Sequence, residues 1–378
     1  MSSLLDGMKV GLRRVAKASL AYAIYSSGLL DQLSAYGTSI KGGRRIIILG
    51  YHRIVKDFHN SSEYAIPALL TSEKIFKQHI DLIYKKYNFI SLDDALEALS
   101  EGYLPKRDSV VLTFDDGYQD FYTVAFPILR RYSLPATLFV PTGLIGKTEP
   151  LAHDQIFYLL MEMIKRHYSV MALLEKSNLI EPLTVVRSAL AGHRPDYYRA
   201  MRALFEMPRV QVKRLITAMK NKLQFSDDEF PVEYRLLDWS MLGEIIAAGL
   251  TIGAHTRNHP LLTAEPQMMA ECEIFCSKAE LEYRLGISVR HFAYPDGRYN
   301  ANIVELVKQA GFQSACTTED RPNLPGENPY QLKRKLLWER ACLGIFSNFS
   351  RIVAECQLRG LFSNKICKRQ SDPVNCYE

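Results

Sequence analysis

Short runs of β-branched and other apolar residues recur along the chain, and each run ends in glycine or polar residues. They predict strands at 46–52, 110–116, 136–140, 250–255, 290–295 and 314–318, with a weaker candidate at 89–92. Segments with helical periodicity, such as 72–87 and 299–312, separate most of these runs. Near-continuous apolar strands that alternate with helices indicate a parallel sheet buried on both faces. The pattern therefore predicts an α/β fold, closed as a distorted (β/α) barrel of the TIM type.

The stretch from about 150 to 235 departs from this alternation. It is helical in pattern, mixes apolar with basic residues and contains no clear strand, so we expect a helical insertion on one loop of the barrel. The expected organisation is an N-terminal amphipathic helical segment at 1–45, a barrel at 46–340 and a helical tail at 341–378.

The N-terminal segment combines basic and apolar residues. Four basic residues precede 13 uncharged residues at 18–30, fewer than the roughly 20 that a spanning helix needs. We expect an amphipathic helix that lies on a membrane, with a helix docked on the barrel as the open alternative.

Composition narrows the class of protein only modestly. The 378 residues include 47% hydrophobic and 23% charged residues, with a net charge of +6, as in a soluble globular protein. This excess of positive charge is too mild to predict nucleic-acid binding, but it suits an acidic partner such as a membrane leaflet or an anionic glycan. Lys333, Arg334 and Lys335 form one basic cluster.

All seven cysteines follow residue 270 without a CxxC pair, and Cys272 and Cys276 are spaced for a buried helix face. Reduced thiols favour a cytoplasmic location, here peripheral to the inner membrane.

Polar residues gather at the carboxyl ends of predicted strands, the face on which parallel barrels build active sites. Asp115 and Asp116 end one strand, and His255 ends another. His259 follows His255 by four residues, so a helical turn would place both imidazoles on one side. With Asp116 they form a two-nitrogen, one-oxygen set that leaves one position open, as in catalytic zinc sites. Asp115 then remains available as a base.

Three ordered motifs resemble those of the polysaccharide deacetylases, the NodB-homology family of carbohydrate esterases. They are TFDDGYQD at 113–120, GLTIGAHTRNHPLL at 249–262 and FAYPDGRYN at 292–300. The resemblance implies a distorted barrel, Asp115 as the catalytic base, and Asp116, His255 and His259 as the ligands of one divalent metal ion, with zinc expected. It also implies a substrate groove along Tyr294, Pro295 and the residues after them, near a backbone N–H that holds the oxyanion. Asp296 stands where relatives often have an aromatic residue, and Tyr118 is a further candidate for contact with a sugar ring.

The implied reaction is removal of N-acetyl groups from the amino sugars of a polysaccharide or glycan precursor. The family often supplies a late histidine as general acid, but this chain has no histidine after His291. His52 is the candidate replacement, with His153 second. Two other functions stay open: a phosphoesterase, which would favour a second metal and more carboxylates, and a non-catalytic glycan-binding barrel.

Overall fold

Parallel strands form the centre of the molecule in a computed structural model that describes residues 2–30, 32–33, 45–102, 107–179, 182–191 and 195–362. The strands are β1 Ile46–Tyr51, β2 Arg53–Val55, β3 Leu70–Ser72, β4 Asn88–Phe89, β5 Ser109–Phe114, β6 Ala136–Val140, β7 Thr251–Ala254, β8 His291–Ala293, β9 Ser314–Cys316 and β10 Arg334–Leu336. Every apolar run named above overlaps one of them.

The main sheet has eight parallel strands and nearly closes on itself. Its order is β10-β1-β5-β6-β7-β8-β9, with β4 also paired to β5, while β2 and β3 pair separately. A parallel bridge between Cys316 and Leu332 joins the end of β9 to the segment that leads into β10. The prediction of a distorted α/β barrel is confirmed.

Helices surround this sheet, and capping side chains begin several of them. Ser72, Asp238 and Asn300 each accept a hydrogen bond from a backbone N–H of the first helical turn, which satisfies a donor that the helix itself cannot. The helices are α1 Ser2–Ser26, α2 Phe58–Ser61, α3 Glu73–Lys86, α4 Leu92–Ser100, α5 Phe126–Arg131, α6 Ala152–Lys165, α7 Val170–Lys176, α8 Leu183–Leu190, α9 Tyr197–Phe205, α10 Arg209–Leu223, α11 Trp239–Ala247, α12 Gln267–Leu285, α13 Ala301–Gln309 and α14 Arg351–Leu358.

Helices α6 to α10 form a layer between β6 and β7, within the stretch for which the sequence predicts a helical insertion. The layer has its own apolar core, separate from that of the barrel. This core also contains Val55, Ile66 and Leu70, which follow β1 in the chain. The insertion therefore packs against the segment that follows β1.

The expectation of a basic surface cluster at residues 333–335 is wrong. Arg334 is 0% exposed and Lys335 is 3% exposed, because both lie on β10 beside β1. Each of the three basic side chains has an acidic partner: Lys333 pairs with Glu327, Arg334 with Asp115, and Lys335 with Asp320. Internal ion pairing thus accounts for this group of charges.

Helix α1 packs against α14 through small residues. Ala18 and Ala21 are buried with Val353 and Cys356, and the Lys17 amine donates a hydrogen bond to the Ala341 carbonyl at 3.0 Å. No helix in the described ranges is both long and apolar enough to cross a bilayer. Of the expected helical tail, residues 363–378 lie outside the described residues.

The cysteine pair on α12 does not lie on the buried face that its spacing suggested. Cys272 is exposed and Cys276 is half-buried, with their sulfur atoms 3.2 Å apart. Ala270, Ile274 and Leu281 fill the core instead. Spacing by four residues placed both thiols on one face, but it did not identify which face packs inward.

Candidate active site

Three buried side chains converge at the carboxyl ends of β5 and β7. Asp116 Oδ1 lies 3.2 Å from His259 Nε2 and 3.5 Å from His255 Nε2. One ligand atom from each residue falls within 4.8 Å of the other two. The structure therefore brings together the oxygen and two nitrogens that the motifs predicted as a metal-ligand set.

The segment between the two histidines is a loop and not a helical turn. Thr256 has φ 64° and His259 has φ 57°, both in the left-handed region, which breaks a right-handed helix. The Thr256 hydroxyl accepts a hydrogen bond from the His259 N–H at 2.9 Å. The Glu273 carboxylate on α12 accepts from the backbone N–H groups of Arg257 and Asn258 at 2.9 and 2.7 Å. These bonds fix the loop so that His259 turns back toward Asp116.

The donor set fits a divalent cation. The His255 Nδ1 lies 2.7 Å from the Ala293 carbonyl, so this nitrogen carries the proton and Nε2 keeps its lone pair for a ligand. Asp116 Oδ1 is buried and accepts no hydrogen bond despite its nearness to both rings. Burial opposes ionisation of Asp116, but His259 and His255 hold its pKa well below the ordinary value. A buried, ionised oxygen without a hydrogen bond, beside two imidazole nitrogens, is what a cation would satisfy.

Asp115 is held by Arg334 of β10, the strand next to β1 on the side away from β5. The two guanidinium nitrogens of Arg334 donate to the two carboxylate oxygens, each at 2.7 Å. Arg334 also donates to the Thr317 carbonyl at 2.9 Å, which orients the guanidinium. Burial raises the pKa of Asp115, but the Arg334 charge outweighs burial and lowers it below the ordinary value. Asp115 is therefore ionised and fixed in direction.

Sequence reasoning missed Arg334. Its neighbours Lys333 and Lys335 made it resemble part of a solvated basic run. Because β10 is short and charged, it has no apolar pattern from which a strand could be predicted. The one available signal was indirect: two adjacent buried carboxylates require positive charge nearby, and the cation site accounts for only one of them.

A cavity of about 650 Å³, counting its open mouth, contains these groups. His52, Asp115, Asp116, His255, His259, Tyr294 and Asp296 all line it, together with residues of the insertion. Pro295 is buried at the start of the following turn and is not part of the lining. The Tyr294 hydroxyl donates to the Tyr330 carbonyl at 3.0 Å, and its N–H donates to the Cys316 carbonyl at 3.1 Å. That N–H extends the pairing of β8 with β9, so it is already used as a donor.

Tyr118 does not line the cavity, which corrects its expected contact with a sugar ring. It is 0% exposed, and its hydroxyl donates to Asp154 Oδ2 at 2.6 Å. The Arg53 guanidinium covers the ring at 4.7 Å from its centroid. Both the face and the hydroxyl of this tyrosine are therefore occupied by other protein groups.

The two histidines considered as general acids differ in setting. His52 is half-buried and lines the cavity, and burial lowers its pKa even though Asp116 and Asp115 act in the opposite direction. His153 packs edge-on against His259, with ring centroids 5.2 Å apart, and burial lowers its pKa to about 3. Burial shifts both imidazoles toward the neutral form and both line the cavity, but His153 is buried and its Nε2 already lies 3.0 Å from the Tyr118 hydroxyl. His52 is the more accessible of the two and is therefore the better candidate for a proton donor.

The fold and the site define a parallel α/β barrel with a three-ligand cation site and a separately held carboxylate at its mouth. The polysaccharide deacetylase family model matches residues 103–204 and 206–315, more than half of the chain. The chain belongs to this family, which confirms the resemblance of its motifs.

Curated relatives match over shorter stretches. A poly-beta-1,6-N-acetyl-D-glucosamine N-deacetylase of Staphylococcus epidermidis is 36% identical over 110 residues, which are 27% of this chain and 38% of that protein. The protein of the same name from Staphylococcus aureus strain MSSA476 is 36% identical over 110 residues, covering 27% and 37%. The chain thus spans less than half the length of these relatives.

Two solved structures share the fold. A deacetylase, PplD, of Streptococcus pyogenes in complex with acetate has a TM-score of 0.52 and 21% identity, over 80% of this chain and 96% of that chain. IcaB from Ammonifex degensii has a TM-score of 0.52 and 19% identity, over 83% and 98%. At these identities the likeness establishes the barrel and not the substrate.

Proposed function

We propose that the chain is a metal-dependent deacetylase that removes N-acetyl groups from the amino sugars of a polysaccharide or glycan precursor. One observation carries the proposal: a single cavity contains the Asp116, His255 and His259 ligand set and, beside it, an ionised Asp115 whose direction is set by Arg334. The names of the staphylococcal relatives make poly-N-acetylglucosamine the first substrate to test.

A divalent cation held by Asp116, His255 and His259, with zinc as the first candidate, would supply the Lewis acidity that polarises an acetamide carbonyl and acidifies water. Asp115 accepts the proton of the attacking water, since its carboxylate is ionised and lies in the same cavity. Arg334 keeps that carboxylate directed into the site throughout. His255 stays oriented by its bond to the Ala293 carbonyl.

Departure of the amino sugar requires a proton, because an amide anion is a poor leaving group. His52 is the group we assign to this step, since it lines the cavity with Asp115 and no histidine follows His291. The products are acetate and a free amino sugar.

The phosphoesterase alternative would favour two metal ions. Within the described ranges, Asp116, His255 and His259 are the one group of three or more metal-ligating side chains close enough to share an ion. This finding supports a single-metal hydrolase.

An acetate-release assay tests the proposal. Metal-free protein is titrated with zinc or cobalt and incubated with poly-N-acetylglucosamine, peptidoglycan fragments and chitin oligomers, while metal content is measured separately. Activity that saturates at one metal ion per chain is expected. Two ions per chain with phosphoester cleavage would favour the phosphoesterase, and glycan binding without acetate release would favour the non-catalytic barrel.

We also propose that α1 lies on the cytoplasmic surface of the inner membrane. Its inner side packs on α14, while Leu12 is 71% exposed, Leu20 is 54% exposed and Tyr22 is 42% exposed. Exposed apolar residues on a helix that also carries basic residues are typical of interfacial helices. Flotation with vesicles of phosphatidylcholine and phosphatidylglycerol should recover the wild type, and Leu12→Ser/Leu20→Ser should reduce recovery severalfold. Val210→Ser, at an exposed apolar residue of the insertion, is the control, and equal flotation of all three proteins would argue against this location.

A further inference from the structure

The helical insertion forms one wall of the active-site cavity. Helix α9 presents Met201 and Phe205 inward, at 3% and 9% exposure, and Tyr198 and Arg202 also line the cavity. The Phe205 ring lies nearly parallel to that of His259, with centroids 6.0 Å apart and planes at 22°. The insertion is therefore in contact with a proposed metal ligand as well as with the space where a sugar would bind.

A chain of ion pairs joins α9 to the loop that follows β8. Arg202 Nη2 lies 2.7 Å from Asp296 Oδ2, and Arg298 Nε lies 2.9 Å from the same oxygen. Arg298 continues to Glu206 at the end of α9, with 2.5 Å between Nη2 and Oε1. Asp296 thus acts as an anchor for the insertion, at the position where the family often has an aromatic residue.

The insertion is also attached on the opposite side of the mouth. Ile66 and Leu69 line the cavity there, and Ile66 belongs to the apolar core of the insertion. The Tyr234 hydroxyl donates to the Tyr64 carbonyl, and Arg53 Nη2 donates to the Glu233 carbonyl at 2.5 Å. Two attachments on two sides make the insertion a fixed cover and not a loose flap.

We infer that this cover restricts the enzyme to the terminal N-acetylamino sugar of a glycan, or to a short glycan, and excludes internal units of a long polymer. The inference rests on the proposed deacetylase function. An internal unit needs a groove open at both ends, so that the chain can continue past the reacting sugar in both directions. Here α9, the segment with Ile66 and Leu69, and the loop with Asp296 all line the cavity around the proposed ligands.

The test uses β-1,6-linked N-acetylglucosamine oligomers of one to six units. Acetate release gives kcat/KM for each length, and tandem mass spectrometry locates the free amine. We expect deacetylation at a terminal unit alone, with kcat/KM nearly constant beyond the disaccharide. Removal of internal acetyl groups by the wild type, or a kcat/KM that keeps rising up to the hexamer, would overturn the inference.

Opening the cover provides a second test. Arg202→Ala/Asp296→Ala breaks the ion-pair chain and should raise internal deacetylation of the hexamer by about tenfold relative to the disaccharide, as expected when a steric exclusion is relaxed. Arg187→Ala is the matched control, because Arg187 pairs with Glu175 in the same insertion but does not line the cavity. The control should keep the wild-type length profile.

Hydrolysis of a small aryl acetate separates failure of this inference from failure of the proposed function. That ester needs no glycan subsite. If the metal-loaded wild type failed to hydrolyse it, the result would count against the deacetylase function itself. Aryl acetate cleavage together with internal deacetylation would leave the deacetylase standing and reject the cover. Aryl acetate cleavage without acetate from any oligomer would also reject it, since a terminal unit should be accepted.

Discussion

Removing the Arg334 side chain should both destabilise the protein and change its pH profile. Arg334 and Asp115 are 0% and 3% exposed and share two hydrogen bonds of 2.7 Å. Removing one partner of such a buried pair leaves an uncompensated charge and costs about 3–5 kcal/mol. We therefore expect Arg334→Ala to lose about that much free energy of unfolding at pH 7, near the whole stability of a marginal domain.

The sign of the pH dependence follows from the lowered pKa of Asp115. A carboxyl group whose pKa is lower in the folded state than in the unfolded state stabilises the fold at pH values above its ordinary pKa, which is near 3.8. That contribution is lost as pH falls through the lowered folded value. In Arg334→Ala, burial is opposed by His255 and His52 alone, so the pKa of Asp115 rises from its lowered value. The acidic limb of activity should then move to higher pH, and the stability deficit should shrink as the medium becomes acidic enough to protonate Asp115.

Two measurements check this reasoning. Urea unfolding of metal-free protein from pH 4 to 8 gives the stability difference, and the pH profile of kcat/KM on an aryl acetate gives the shift of the acidic limb. Arg334→Lys should recover part of the lost stability, but it should not restore the two parallel hydrogen bonds that orient the Asp115 carboxylate. Lys333→Ala, which removes a partly exposed ion pair, should change stability by less than about 1 kcal/mol. An Arg334→Ala protein with wild-type stability and an unmoved acidic limb would refute the account of Asp115.

Four further substitutions test the assigned roles. Asp115→Asn should abolish deacetylation with metal content nearly intact, since Asp115 lies outside the ligand set; loss of metal would mean that the two aspartates had been exchanged. His255→Ala and His259→Ala should each lose the metal, measured by elemental analysis, with a modest effect on stability; wild-type affinity in either would reject the ligand set. His52→Ala should lower turnover on an amide by roughly 10²- to 10⁴-fold, the usual range for a general acid, with metal content unchanged. The loss should be smaller on an aryl ester, whose leaving group departs without protonation, and an equal loss on both would instead indicate positioning.

Local sequence pattern determined the strands and the positions of the ligands. Apolar runs such as 46–52 and 110–116 form strands that are buried on both faces of the sheet, so most of their residues are apolar and the runs are visible without a structure. Because parallel strands share one carboxyl edge, placing Asp116 and His255 at strand ends was enough to predict that they meet. The loop after β7 places His259 beside His255 and Asp116 without a helical turn, so the predicted ligand set did not depend on that backbone conformation.

Tertiary structure decided the features that depend on partners distant in the chain. Arg334 meets Asp115 across 219 positions, and nothing in the run Lys333-Arg334-Lys335 distinguishes a strand in the barrel wall from a solvated loop. Contacts with Asp154 and Arg53 keep Tyr118 out of the cavity lining. Arg202 pairs with Asp296, which lies 94 positions later in the chain. Periodicity reports which side of an element is apolar, but it carries no information on which charged side chain will neutralise another. Those pairings form only after the barrel and the insertion bring their elements together, and they determine which residues line the cavity.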